Sequence, residues 1–216
     1  MSLNGVIKLN RAPLAQTLWM WAALCAPLCL LWPTLRHLIE SRMAFHMLLE
    51  FPLLLASGWA AMRWARRFPI VRLRMSPWAA LDWHGWTGAT LTSCVTAFWM
   101  LPLALDATLM SDAMAAVKYL SWWLTGCVLA RSWYRMAPEV LLFFVGNLTW
   151  MTATAGMLYL DAPARLCVNY LMDDQRTTGA GLIVLALLLG VAALRQAMKP
   201  VPEAVWSASV SPPSSV

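Results

Sequence analysis

Charge is what this sequence lacks. Only 12% of its 216 residues are Asp, Glu, Lys or Arg, against 61% hydrophobic, and just 10 are acidic. Soluble chains carry about 25% charged residues, so a water-facing surface cannot be covered. A soluble enzyme, a disordered chain and a small disulfide scaffold are all excluded on composition. Histidine is scarcer still, with three residues. His37 and His46 fall toward one side of the apolar stretches and His84 toward the other, leaving no deep imidazole pair, so no haem is expected. There is no Gly-rich phosphate loop, no nucleophile–base constellation and no internal repeat, and hence no expectation of an enzyme. The five cysteines are scattered. Cys25 and Cys29 share a helix face around Pro27, a spacing open to Cu(I) but commoner as packing. Cys94 and Cys127 read as packing, and Cys167 has no evident partner.

What the sequence has instead is long apolar runs. A bilayer core takes about 20 residues of helix. Six stretches qualify: Leu14–Leu31, Ala44–Met62, Gly85–Leu105, Ala113–Ala130, Val140–Tyr159 and Thr177–Leu194. None alternates strictly, so helices fit and barrel strands do not. The expected fold is an all-α polytopic membrane bundle of six transmembrane helices. It forms a single domain over residues 1–198, and the Pro- and Ser-rich residues 199–216 form a flexible tail. Lys8 and Arg11 before the first span suggest a signal peptide, but no small-residue cleavage site follows it, so the span is read as retained.

Orientation follows from the basic residues. The N-terminus, the second and fourth connections and the C-tail carry eleven Lys and Arg, the opposite side four, and Lys118 lies inside a span. Both termini are therefore expected in the cytoplasm. Acidic residues lean the other way, with Glu40, Asp106, Asp112, Asp161, Asp173 and Asp174 outside. The net charge of +6 thus expresses topology, and no nucleic acid is expected as a partner. The Arg63–Arg74 segment is expected against anionic lipid headgroups. Trp32, Trp64, Trp83, Trp86 and Trp133 fall at span ends, where amphipathic rings collect.

Cys and Tyr aside, three ionisable side chains lie within the spans: His46, Glu50 and Lys118. Such groups are costly in a membrane and mark function by default. At about 1.5 Å per residue, His46 and Glu50 sit roughly 3 and 9 Å below the outer boundary. Met114 and Lys118 reach nearly the same two depths on the fourth span. Each pair is spaced i, i+4 and shares a helix face. If the second and fourth spans are neighbours, His46 faces Met114 and Glu50 faces Lys118. Met100 belongs near the deeper layer, Met43, Met47 and Met110 lie close by, and Asp106, Asp112, Asp173 and Asp174 form an acidic outer rim. The cluster reads in two ways. Thioethers with an imidazole suit Cu(I), giving His46, Met43, Met47, Met100 and Met114 as candidate ligands. Alternatively the Met residues fill core gaps and Glu50 with Lys118 is an ion pair, or Glu50 is a carboxylate that relays protons.

At these residues the chain resembles the multi-spanning CtaG-type cytochrome c oxidase assembly family. The likeness lies in Arg42-Met43-Ala44-Phe45-His46-Met47-Leu48-Leu49-Glu50 with Pro52-Leu53-Leu54, and in Phe98-Trp99-Met100-Leu101-Pro102. It continues through Met114, Lys118 and Gly126 to Asp174-Gln175 and Gly179-Ala180-Gly181. The resemblance implies a bacterial inner-membrane protein that helps to build the copper centre of a haem–copper oxidase, with oxidase subunits as partners. Of the imidazoles in the family pattern only His46 remains; Glu50, Met100, Met114 and Lys118 stand where the others fall. Two readings follow: an assembly protein that binds or passes Cu(I) on the periplasmic face, and an accessory subunit of a respiratory complex whose metal site has become a Glu50–Lys118 ion pair. Proton-coupled transport is a weaker third, since no other span continues a path from Glu50. Topology reporters test the frame for all three. A periplasm-dependent reporter should stay inactive when fused after Lys199 or within Arg63–Arg74 and become active after Asp112; the reverse pattern would overturn the outward-facing site.

Overall fold

The computed structural model describes residues 32–68, 82–167 and 169–198, together with Trp21, Cys25, Pro27, Cys29 and Leu30. All regular structure among them is helical. The tail 199–216 and nearly all of the first expected span, Leu14–Leu31, lie outside the described residues.

A short helix α1 (Pro33–Glu40) precedes the bundle, with proline at its first turn, where no N–H is needed. The long helix α2 runs Met43–Ala65. Helix α3 is Trp86–Trp99 and α4 is Pro102–Met110. Helix α5 (Asp112–Ser132) ends in a 3-10 turn, Trp133–Arg135. Helices α6 (Pro138–Asp161) and α7 (Met172–Ala197) complete the chain. Helices α5 and α7 each carry aspartate in the first turn and arginine in the last, matching side-chain charge to the helix dipole at both ends. Helices α2, α6 and α7, and α5 with its 3-10 turn, are long and apolar enough to cross a membrane, and a fifth span is completed by α3 with α4 if that bent pair counts as one.

That pair corrects the expected straight span Gly85–Leu105. The chain bends by 72° between α3 and α4. Leu101 is extended (φ −71°, ψ 131°) and Pro102 opens the new helix, as a residue before proline prefers. The bend leaves the Met100 carbonyl without a helical partner, and the Tyr159 hydroxyl donates to it at 2.8 Å. A second departure lies in α2, where His46–Glu50 forms a π-turn. This widened turn sits just before Pro52, which has no N–H for the Leu48 carbonyl.

The helices form a ring in the order α2, α5, α3, α6, α7, closed where α7 meets the first turns of α2. The α2–α5 crossing depends on two glycines. A Cβ on Gly58 would fall on the Trp123 carbonyl oxygen, and one on Gly126 on the Leu55 carbonyl oxygen. Backbones this close need hydrogen at both Cα positions, the device of small residues at membrane helix interfaces. The Cys127 thiol donates to the Gly58 carbonyl at 3.2 Å across the same crossing. Gly58→Ala or Gly126→Ala should therefore cost about 1–3 kcal/mol by overpacking, read as a lowered melting temperature in detergent. Gly146→Ala, with open space at its Cβ, is the control and should cost nothing.

Candidate functional site

The end of the bundle at which α1, α2, α5 and α7 begin holds a buried ionic cluster centred on Lys118. Helix α5 carries Lys118 into the interior, where its side chain is fully buried, and α2 presents His46 and Glu50, 0% and 1% exposed. Lys118 Nζ donates to Glu40 Oε1 at 2.7 Å and to His46 Nε2 at 3.0 Å. It also lies 2.7 Å from Glu50 Oε1. The Glu50 contact is close but poorly aligned, so neither oxygen of that carboxylate accepts a well-formed hydrogen bond among the described residues. Its attraction to Lys118 is chiefly coulombic.

Glu40 places the cluster's second carboxylate at the end of α1, only 4% exposed. Arg36, one turn earlier, donates to Glu40 Oε2 at 2.9 Å, to Asp112 Oδ1 at 3.0 Å and to the Thr108 carbonyl at 3.2 Å. Arg36 thereby ties α1 to α4 and α5. Half-buried Arg36 and buried Lys118 balance buried Glu40 and Glu50, so the quartet is neutral.

The loop between α6 and α7 supplies the last member. The Tyr170 hydroxyl donates to the Glu40 carbonyl at 3.0 Å and lies 2.8 Å from His46 Nδ1. A hydroxyl has one hydrogen to give, so His46 Nδ1 carries the proton and donates to Tyr170. His46 Nε2 is then bare and accepts from Lys118. This network assigns His46 as a neutral imidazole with its proton on Nδ1. Burial, then the nearby Glu40 and Glu50 carboxylates, holds the Tyr170 hydroxyl well above the ordinary tyrosine range, so it remains a donor. In the same loop burial pushes the Cys167 thiol up to about 12, and it remains a thiol.

The buried Glu40, His46 and Glu50 could hold a metal ion, since one ligand atom from each lies within 4.8 Å of the others. Two carboxylates with one imidazole form a hard-to-borderline donor set, and the Lys118 ammonium already contacts all three. The thioethers expected as soft ligands are placed differently. Met43 and Met47 are buried in the hydrophobic core, and Met100 and Met114 pack against it half-buried. Met110 is exposed.

The expected outer rim divides. The Asp112 side chain is 98% exposed and Asp173 is exposed, with Asp174 half-buried beside it in the first turn of α7. Asp106 is not on a rim. It is 8% exposed and accepts from Asn169 Nδ2 at 3.1 Å, because the bend at Pro102 folds α4 across the bundle end. Glu40, expected on the outer side of the membrane, is buried within the protein. Sequence reasoning missed Glu40, Arg36 and Tyr170 as members of the cluster. The i, i+4 spacing of Arg36 and Glu40 on a short Pro-started helix was the available signal for two of them; Tyr170 had none.

The cluster makes an unequal set of losses. Lys118→Met strands Glu50, whereas Glu40 keeps Arg36. Glu50→Gln leaves Lys118 paired with Glu40. Breaking a buried pair costs about 3–5 kcal/mol, so Lys118→Met should lower the melting temperature more than Glu50→Gln. The double variant, neutral again, should recover part of the loss. Additive losses would show that the two residues act independently.

No protein-family model, curated protein or solved structure matches this chain.

Proposed function

We propose that this chain is a CtaG-like, non-catalytic membrane protein that serves a haem–copper respiratory oxidase as an accessory or assembly subunit, with the metal position taken by the Lys118 ammonium. The observation that carries this reading is that Lys118 Nζ lies 2.7 Å from Glu40 and Glu50 and 3.0 Å from His46. A divalent ion placed there would meet a cation within contact distance. It would also turn a neutral quartet, three of its members buried, into one of net charge +2, against the large cost of uncompensated charge away from water. The chain resides in a bacterial inner membrane with both termini in the cytoplasm, and its partners are membrane lipid and oxidase subunits.

The rival reading, binding or passage of Cu(I), draws on one feature: Met43 and Met47 flank His46 and are buried with it. Thioethers favour Cu(I) over harder ions. The two readings part on copper. Under the first, the anaerobically purified protein takes up no stoichiometric Cu(I). Loss of the gene lowers assembled oxidase in the host, and copper added to the medium does not restore it. Stoichiometric uptake that disappears in the His46→Leu/Met114→Leu variant would move the assignment to Cu(I). Oxidase levels unchanged by loss of the gene would overturn both.

A further inference from the structure

At the end of the bundle opposite the ion cluster, α2 and α5 finish in a group of cations and rings. Arg63 follows Met43 by twenty residues on α2, about 30 Å along the helix at 1.5 Å per residue. That is the thickness of a hydrocarbon core, so the last turn of α2 reaches headgroup level when its first turn lies at the other boundary. Tyr134 stands beside it in the 3-10 turn that closes α5. The guanidinium carbons of Arg63 and Arg66 lie 6.0 and 5.7 Å from the centroid of the Tyr134 ring. One ring thus gathers two cations, each at cation–π distance, and all three residues are exposed.

Arg36 at the other end is matched by two carboxylates, but Arg63 and Arg66 form no ion pair among the described residues. The described carboxylates of this end are Asp82, buried just before α3, and Glu139, exposed in the first turn of α6. The carbonyl end of α2 offers roughly half a negative charge, too little for two guanidiniums. Arg67, Arg131 and Arg135 add further positive charge to the same end. The complement of this patch is an anion.

The surroundings decide which anion. Trp64, next to Arg63 in the chain, meets Phe68 edge-on at 5.0 Å and Trp21 at 6.4 Å, and all three rings are exposed. Aromatic rings collect where water gives way to hydrocarbon. An acidic segment of a water-borne partner would cover the arginines and leave those rings bare. A phospholipid covers both, with its phosphate on the guanidiniums and its glycerol and first methylenes beside the rings. The planar guanidinium fork suits phosphate oxygens. A zwitterionic headgroup would bring its own cation to a patch already rich in them, so the fitting lipid is anionic.

We propose that Arg63 and Arg66, gathered over Tyr134, form a binding site for the phosphate of an anionic phospholipid. This site goes beyond the oxidase reading and does not depend on it. The test is native mass spectrometry of the purified full chain in nonionic detergent, titrated with dioleoyl phosphatidylglycerol or with dioleoyl phosphatidylcholine. One phosphatidylglycerol should bind ahead of any further copies and more tightly than phosphatidylcholine. Arg63→Gln and Arg66→Gln should each weaken it about fivefold, and the double variant about thirtyfold, at the usual worth of one basic residue near an anionic lipid. Tyr134→Leu keeps both charges but removes the ring that gathers them, and should weaken binding about threefold. Arg195→Gln is the control. It removes an exposed charge from the last turn of α7, a helix that meets α2 at its opposite end, and should change nothing. Unchanged melting temperatures show that the variants fold. Equal affinity for the two lipids would overturn the proposal. So would an equal loss in Arg195→Gln, which makes the attraction diffuse, or unchanged affinity in the double arginine variant or in Tyr134→Leu.

Discussion

An ammonium group inside a helical membrane bundle dictates what surrounds it. Lys118 is fully buried, too deep in packed protein for its charge to be met by water, so each of its donors needs an acceptor from another element. Glu40 at the end of α1 and His46 on the π-turn of α2 accept from it, and Glu50 on the same turn balances its charge at 2.7 Å. Satisfying one cation thus fixes the position of α1, the rotation of α2 and the depth of α5. The requirement propagates outward. Glu40 is shared with Arg36, which reaches the Thr108 carbonyl and Asp112, and His46 is held by Tyr170 from a loop far along the chain. A single charge thereby organises one whole end of the bundle.

Elsewhere the bundle is held by a different kind of constraint. The α2–α5 crossing relies on two glycines and a thiol–carbonyl contact, with no charge involved. Such packing is short-range and tolerates no added atoms, but it exerts no pull on distant elements. Charge pairing does the opposite, drawing in short helices and loops that have little apolar surface of their own. Helix α1 has eight residues, too few to be stable alone. Its Leu35 and Leu38 face outward, and its hold on the bundle runs largely through Arg36 and Glu40.

What could be read from the sequence follows this division. The matched depth of Glu50 and Lys118 was legible because rise along a helix is constant, so residues seventh and sixth in two spans entering from one side must lie nearly level. The all-helical membrane character was legible for a similar reason, since length and apolarity are local properties. Glu40, Arg36 and Tyr170 escaped because their positions are set by docking, which leaves no periodic mark. Asp106 was misplaced for a more specific cause. Leu101-Pro102 was read as part of a continuous apolar run, whereas the proline turns the chain by 72° and carries Asp106 into a buried contact. The π-turn at His46–Glu50 was also invisible, although Pro52 just after it marks where a regular helix loses a hydrogen bond.

The ionic cluster and the stacked rings of Phe51 and Trp122 below it are mechanically continuous. Phe51 follows Glu50 directly, and Trp122 lies one helical turn beyond Lys118, so the residues that pair above carry the residues that stack below. His46 meets Phe51 edge-on at 5.4 Å, adding a third link between the two layers. The Phe51–Trp122 face therefore takes its geometry from the Glu50–Lys118 contact. An ion pair sets the distance between two helices, so the contact of Glu50 with Lys118 at 2.7 Å holds the spacing of α2 and α5 at this end and with it the stacking of the two rings beneath.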